Sequence, residues 1–444
     1  MPYRARRSAI AAAAALTALL GTSLVLPLSA AAVTDVVEPA AEAPAPPLPY
    51  LLSPYGGAPL YQGQKLAGAL PRGGTEYTVQ IAFDGGPRTE VPVQITGYFE
   101  LDVSGLALGQ HPYAMRSSTA GGTVLSADVT GTLSVVAKPV IERIGGPDRY
   151  AVAVAVADRE FPGDATAPVV YIATGANYPD ALSAGPAAVQ EGGPLLLVTP
   201  EGIPEAVAST IRRLQPERIV IAGGPASVSP AIEAQLGDLI EGVTVERRTG
   251  ADRYEASRAV IAGAFDEAAE AYVATGENFP DALSAGPAAA LVDGPVALIN
   301  GTKPPVDPLT IELLNTLGVS VLTAVGGRES IVPDQIVYLG GVTANVTRID
   351  GVDRYDASLN LNTSAFESSK TAYLATGYSF PDALTGGVLA AMEDAPLFVV
   401  PGGCFPAGTL IEFERLGVER LVLLGGPESI GDSTAELTAC IANP

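Results

Sequence analysis

The 444-residue sequence carries 48 acidic against 25 basic side chains, a formal charge of −23, with one histidine, two cysteines and no tryptophan. A field of that sign repels nucleic acid and anionic lipid, so neither is expected as a general partner. The single His111 removes most zinc sites and histidine-dependent nucleophilic mechanisms, and the lack of tryptophan argues against Trp-lined sugar or choline cages; no metal or cofactor site is indicated.

The chain opens with Arg4, Arg6 and Arg7, an apolar run and then Ala30-Ala31-Ala32. That order predicts a secretory signal peptide over residues 1–32, with a mature chain starting at Val33. No later segment has the 18 or so uninterrupted apolar residues of a membrane span, so an exported chain without a span is expected after cleavage. Residues 33–49, "VTDVVEPAAEAPAPPLP", are rich in Ala and Pro without apolar period and read as an extended linker. From 50 to 138, alternating segments such as "EYTVQIAF" and "VLSADVTGTLSVV" are separated by Gly-rich turns. They predict a small all-β sandwich of immunoglobulin-like type.

Beyond Pro139 the sequence repeats itself. "ATGANYPDALSAGPAA" begins at Ala173, "ATGENFPDALSAGPAA" at Ala274 and "ATGYSFPDALTGGVLA" at Ala375, a spacing of 101 residues each time. "RIGGPDRY", "RRTGADRY" and "RIDGVDRY" precede them; "IAGGPASVS", "AVGGRESIV" and "LLGGPESIG" follow. Within a unit, short continuous apolar strands alternate with helices. That texture predicts a Rossmann-like α/β layer with a parallel sheet covered on both faces. The units are expected at 139–242, 243–343 and 344–444. Each is expected to keep its own leading strand ("VIERI", "VTVER", "NVTRI"), because the third ends in a helix near Cys440 with no strand after it. Cys404 and Cys440 are expected to form one disulfide that pins this C-terminal helix, given an oxidising compartment.

Two motifs carry candidate site residues. Asp180, Asp281 and Asp382 follow a proline in the first helical turn, where a carboxylate compensates the helix dipole at the place a phosphate would use. A helix-start role is therefore favoured over ligand contact; Asn177 and Asn278 stand beside them as loop candidates. Neither a G-x-G-x-x-G nor a Walker lysine is present, so nucleotide binding is not indicated. Asp148, Asp252 and Asp353 are expected helix caps. Arg149, Arg253 and Arg354 then fall in a first turn, where a cation opposes the dipole. That placement, made three times, points to a specific partner: an inter-unit carboxylate, favoured by the abundance of acids, or a ligand phosphate.

At these residues the chain resembles the cell wall-binding repeat 2 family over 140–444. The resemblance implies three tandem copies packed as a pseudo-threefold trimer, which hold an exported protein noncovalently on a Gram-positive cell wall through an anionic wall polymer, teichoic-acid-like or another secondary polymer. It also implies a polymer-binding role for a P-I-L-L segment. That segment corresponds here to Leu195, Leu196 and Leu197, to Val296, Ala297 and Leu298, and to Leu397, Phe398 and Val399, which physics alone reads as buried central strands. A net-acidic protein binding a polyanion needs a local basic patch or bridging divalent cations, and weak sites multiplied over three linked units can still give firm retention. The expected function is non-enzymatic anchoring that displays the sandwich. A wall hydrolase targeted by the repeats is a second reading, in which carboxylates such as Glu76, Glu90 and Glu100 would form the acid/base pair, although sparse acids on alternating strands usually mark a solvated face. A soluble-ligand receptor is a third.

Overall fold

The computed structural model describes residues 47–71 and 74–440. The expected signal peptide and the linker up to residue 46 lie outside the described residues. Eight strands come first: β1 (Tyr50–Ser53), β2 (Leu60–Tyr61), β3 (Lys65–Ala69), β4 (Tyr77–Phe83), β5 (Thr89–Pro92), β6 (Tyr98–Asp102), β7 (Gly109–Thr119) and β8 (Val129–Val136). They form a three-stranded sheet in the order β1-β3-β6 and a five-stranded sheet in the order β2-β8-β7-β4-β5. Period-2 alternation sends Leu66 and Phe99 from one sheet, and Val79, Ile81, Met115 and Leu133 from the other, into a shared core. The all-β expectation holds for this region as a sandwich.

The first repeat contributes β9 (Val140–Ile144), α1 (Arg149–Glu160), β10 (Val169–Thr174), α2 (Pro179–Gln190), β11 (Leu195–Val198), α3 (Glu205–Leu214), β12 (Arg218–Ala222) and α4 (Pro230–Gly237). The second contributes β13 (Thr244–Arg248), α5 (Arg253–Ala264), β14 (Glu270–Thr275), α6 (Pro280–Ala290), β15 (Val296–Ile299), α7 (Pro308–Thr316), β16 (Val321–Val325) and α8 (Pro333–Leu339). The third runs through β17 (Val346–Ile349), α9 (Arg354–Ala365), β18 (Thr371–Thr376), α10 (Pro381–Met392), β19 (Leu397–Val400), α11 (Ala407–Leu416) and β20 (Arg420–Leu424). All three sheets are parallel and four-stranded.

The leading strands do not stay with the units they start. The sheets read β11-β10-β12-β13, β15-β14-β16-β17 and β19-β18-β20-β9. Each of β13 and β17 therefore completes the sheet of the preceding repeat. The third repeat, which has no strand after β20, takes β9 from the start of the first, with Ile141 opposite Leu421 and Ile144 opposite Leu424. The three units are thus closed into a ring.

The C-terminal helix expected near Cys440 is also corrected. Residues Asp432–Glu436 make a single 3-10 turn where the other repeats have α4 and α8. Those helices have Pro230 or Pro333 at their first position, whereas Asp432 occupies that place here, and the Thr434 hydroxyl donates to the Gly402 carbonyl in the loop after β19. The chain then returns to Phe405 through a parallel bridge at Ala439, and the Cys404–Cys440 disulfide forms as expected, with Cα atoms 5.1 Å apart.

Three equivalent helices, α2, α6 and α10, pack on one another around the pseudo-threefold axis. Their small residues make this possible: Ala181, Gly185, Ala282, Gly286, Ala383 and Gly387 let the backbones approach. Only about 20 Å³ of space remains between them, room for a water and for no larger ligand.

Candidate functional site: the junctions between repeats

All three repeated motifs meet where one unit abuts the next. Between repeats two and three, the loop from Asn278 to Asp281, the loop from Gly327 to Ser330 and the start of α9 from Gly351 to Arg354 enclose a cleft of about 380 Å³. The topology explains the meeting. The first two loops leave the carboxyl ends of parallel strands β14 and β16, the end at which open α/β sheets bind ligands, and β17 carries the chain across that same sheet before α9 starts.

The aspartates are held inside this construction. Asp180, Asp281 and Asp382 sit one residue past the helix-starting prolines, and the residues before those prolines, Tyr178, Phe279 and Phe380, make no side-chain cap. Burial pushes all three carboxyls above their ordinary range; hydroxyls of Ser227, Ser330 and Ser429 and, more weakly, an arginine of the next unit pull them back. Ser429 Oγ donates to Asp382 Oδ2 at 3.0 Å. Gly223, Gly326 and Gly425 have φ of 113°, 126° and 99°, and a Cβ on any of them would collide with the aspartate carboxylate. Only glycine allows that approach.

The facing arginines follow the ring: Arg253 opposes Asp180, Arg354 opposes Asp281 and Arg149 opposes Asp382. The inter-unit carboxylate that the sequence favoured is therefore nearby, but it is not the direct partner. Each guanidinium donates through Nη1 to a carbonyl of its own unit, Gly175, Gly276 or Gly377. The conflict of a cation in the first turn is resolved by reaching past the helix to an acceptor at the end of the neighbouring strand. Asp148, Asp252 and Asp353 cap α1, α5 and α9 as expected, each accepting two backbone N–H bonds.

Asn177 and Asn278 are both exposed, and Asn278 lines the cleft between repeats two and three. The apolar segments are elsewhere. Leu195, Leu196, Leu197, Val296, Ala297, Leu298, Leu397, Phe398 and Val399 are all at most 2 % exposed. They are edge strands rather than central ones, and the edge is buried because α10 packs on β11, α2 on β15 and α6 on β19. Their side chains serve the inter-unit core; the loops after them are the accessible part.

One feature of the repeated motif passed unread in the sequence. Tyr178, Phe279 and Phe380 converge on the axis with ring centroids 5.5 to 5.6 Å apart in edge-to-face pairs, an arrangement worth about 0.5–1.5 kcal/mol per pair beyond area burial. Arg149 lies over the Phe380 ring at 5.7 Å. The signal was there: an aromatic stands before the Pro-Asp in every copy. Among the described residues no group of three or more His, Cys, Asp or Glu side chains is arranged to hold a metal, and no helix is long and apolar enough to cross a membrane.

Three tandem α/β repeats whose shared motifs line the unit junctions, preceded by a β sandwich, define a repeat-type binding module. Residues 143–233, 247–337 and 348–435 each match Cell wall binding domain 2 (CWB2), and the chain belongs to that family. It is 28 % identical over 295 residues to N-acetylmuramoyl-L-alanine amidase LytC of Bacillus subtilis (strain 168), a match covering 66 % of this chain and 57 % of LytC. It is 26 % identical over 270 residues to the amidase enhancer of the same organism, covering 60 % of this chain and 36 % of that protein. The chain thus spans little more than half, and about a third, of the lengths of these relatives. Among solved structures, Cwp6 from Clostridium difficile superposes with a TM-score of 0.61 at 21 % identity, over 86 % of this chain and 67 % of that one. Cwp8 from the same organism gives 0.61 at 23 % identity, over 81 % and 62 %. These likenesses establish the fold.

Proposed function

We propose that this is an exported, non-enzymatic protein held on a Gram-positive cell wall by its repeats, which bind an anionic wall polymer at the junctions and carry the β sandwich outward. The match of three CWB2 repeats carries this reading. Two further observations support it. The cleft between repeats two and three combines guanidinium groups with exposed polar loops, the chemistry a phosphate or carboxylate needs. The sandwich is also poor in chemistry. His111 is tied at both ring nitrogens, to Asp84 and to the Ala107 carbonyl. Glu100 is engaged by Lys65 and Tyr98, and Glu90, on the other sheet, by Thr78.

The second reading, a wall hydrolase or modifying enzyme targeted by the repeats, is favoured by one observation: LytC is an amidase by name. The two separate in one assay. Purified protein mixed with isolated walls is expected to pellet with them and to release no soluble muropeptide over hours; steady muropeptide release would make the enzyme reading correct.

A further inference from the structure

The three junctions share one plan but not one chemistry. After the paired glycines, repeats one and three carry Pro225 and Pro427, whereas repeat two carries Arg328, which is exposed and lines the cleft between repeats two and three. Among the described residues Arg328 makes no hydrogen bond or ion pair. Behind it, Arg348 on β17 donates to the carbonyls of Gly326 and Ile331 and, among the described residues, has no carboxylate within salt-bridge reach. Its counterparts are neutralised: Arg247 by Glu233 at 2.7 Å and Arg143 by Asp432 at 3.0 Å. Burial and, behind it, the neighbouring Arg328 pull the Arg348 pKa down against Asp350, so these two cations feel each other. A second substitution falls outside the cleft lining but next to Gly377, whose carbonyl accepts from the cleft's Arg354. Where the first two repeats have Ala176 and Glu277, the third has Tyr378, 75 % exposed and adjacent to Tyr355.

The acids that face the cleft do not cancel this charge. Asp281 is turned to Ser330 and half-buried. Asp353 is occupied by two backbone N–H groups of α9. Glu329 is exposed on the rim.

We propose that the junction between repeats two and three is the principal anion subsite of the ring: Arg328 and Arg354 take the phosphate or carboxylate group of an acidic saccharide, and a sugar face lies on Tyr378. This rests on the wall-polymer reading and makes it unequal over the three junctions. A guanidinium fork matches both anions bidentately. Arg328 binds without breaking a native ion pair, and an anion there also relieves its repulsion with Arg348. An exposed tyrosine ring offers a flat apolar face with a polar tip, suited to a ligand that is part apolar and part wet.

The test uses the full chain, as wild type and as Arg328→Ala, Arg328→Pro and Tyr378→Ala, with Arg212→Ala removing one exposed charge outside the junctions. Binding is measured to isolated Gram-positive walls and, by NMR titration, to glucose 1-phosphate and to glucuronate, which separate a phosphate from a carboxylate source. Both Arg328 variants are expected to bind walls at least tenfold more weakly and to lower the slope of log affinity against log salt by about one; Tyr378→Ala loses severalfold, and Arg212→Ala stays within twofold. Arg328 lies on an exposed loop and proline is native at its two counterparts, so both variants are expected to melt like wild type. If both Arg328 variants hold walls within twofold of wild type, the subsite is wrong while the wall reading stands. If wild type ignores walls, the wall reading fails. In that event Arg328-dependent binding of either sugar acid supports the subsite, and the absence of such binding overturns it.

Discussion

Ala153 is where the ring breaks its own pattern. At the first two junctions a buried hydroxyl pair ties neighbouring units: Ser183 to Ser257 at 2.6 Å and Ser284 to Ser358 at 2.7 Å. Ser257 and Ser358 also accept from the backbone N–H of Leu298 and Val399 on the covered edge strands. At the closing junction the counterparts are Thr385 and Ala153, and the Thr385 hydroxyl is buried with no partner among the described residues. An unsatisfied buried hydroxyl costs about 1–3 kcal/mol and a made bond contributes about 1. Ala153→Ser is therefore expected to stabilise the protein by about 1 kcal/mol, read as a raised midpoint in urea denaturation with an unchanged m-value; a lowered midpoint would mean the site has no room for the oxygen. The sequence displays this irregularity only once α1 and α10 are known to touch. By contrast, the capping aspartates before Arg149, Arg253 and Arg354 were legible directly, because a cap is a local matter of three residues. The arginines' acceptors were not, since a strand-end carbonyl leaves no mark on the sequence.

At the scale of elements, the alternation of strand and helix and the parallel sheets were readable from period and run length. Strand ownership was not. β9, β13 and β17 are short and half polar, as edge strands are, and either neighbouring sheet could take them on pattern alone. What decides is the crossover: β12, α4 and β13 form a compact parallel β-α-β unit with short connections, the connection such units favour. By the same logic β20 needs a fourth strand from far away in sequence, and β9 supplies it. Leu423→Pro removes a ladder bond from β20 to β9 at Glu142, because the odd-numbered residues of β20 face that strand. In hydrogen exchange it is expected to deprotect the amides of Val140–Ile144, nearly the whole repeat region away in sequence. Unchanged protection of that strand would refute the pairing. The apolar segments show the same limit of sequence reading: their burial was foreseen, but the cover is a helix of the preceding repeat in the ring, which no property of the segments themselves encodes.

For the whole molecule, ring closure separates this protein from an open solenoid, in which each repeat touches only its chain neighbours. Its first and last elements are bound together, so the three junctions are parts of one body. The sandwich joins that body at repeat three: Gln64 donates to the carbonyls of Glu436 and Leu437 and Ser134 to Glu414, on and beside the strap that the disulfide holds. On the proposed wall-polymer reading, a strongly acidic chain with arginines at its junctions retains a polyanion only where it reaches them, in multiples and with marked sensitivity to salt. The most direct measurement is co-sedimentation of the purified protein with isolated Gram-positive walls, intact and after chemical removal of their anionic polymers. The account predicts retention on intact walls, release by salt, and no retention on stripped walls. Equal retention on stripped walls, or none on intact ones, would contradict it.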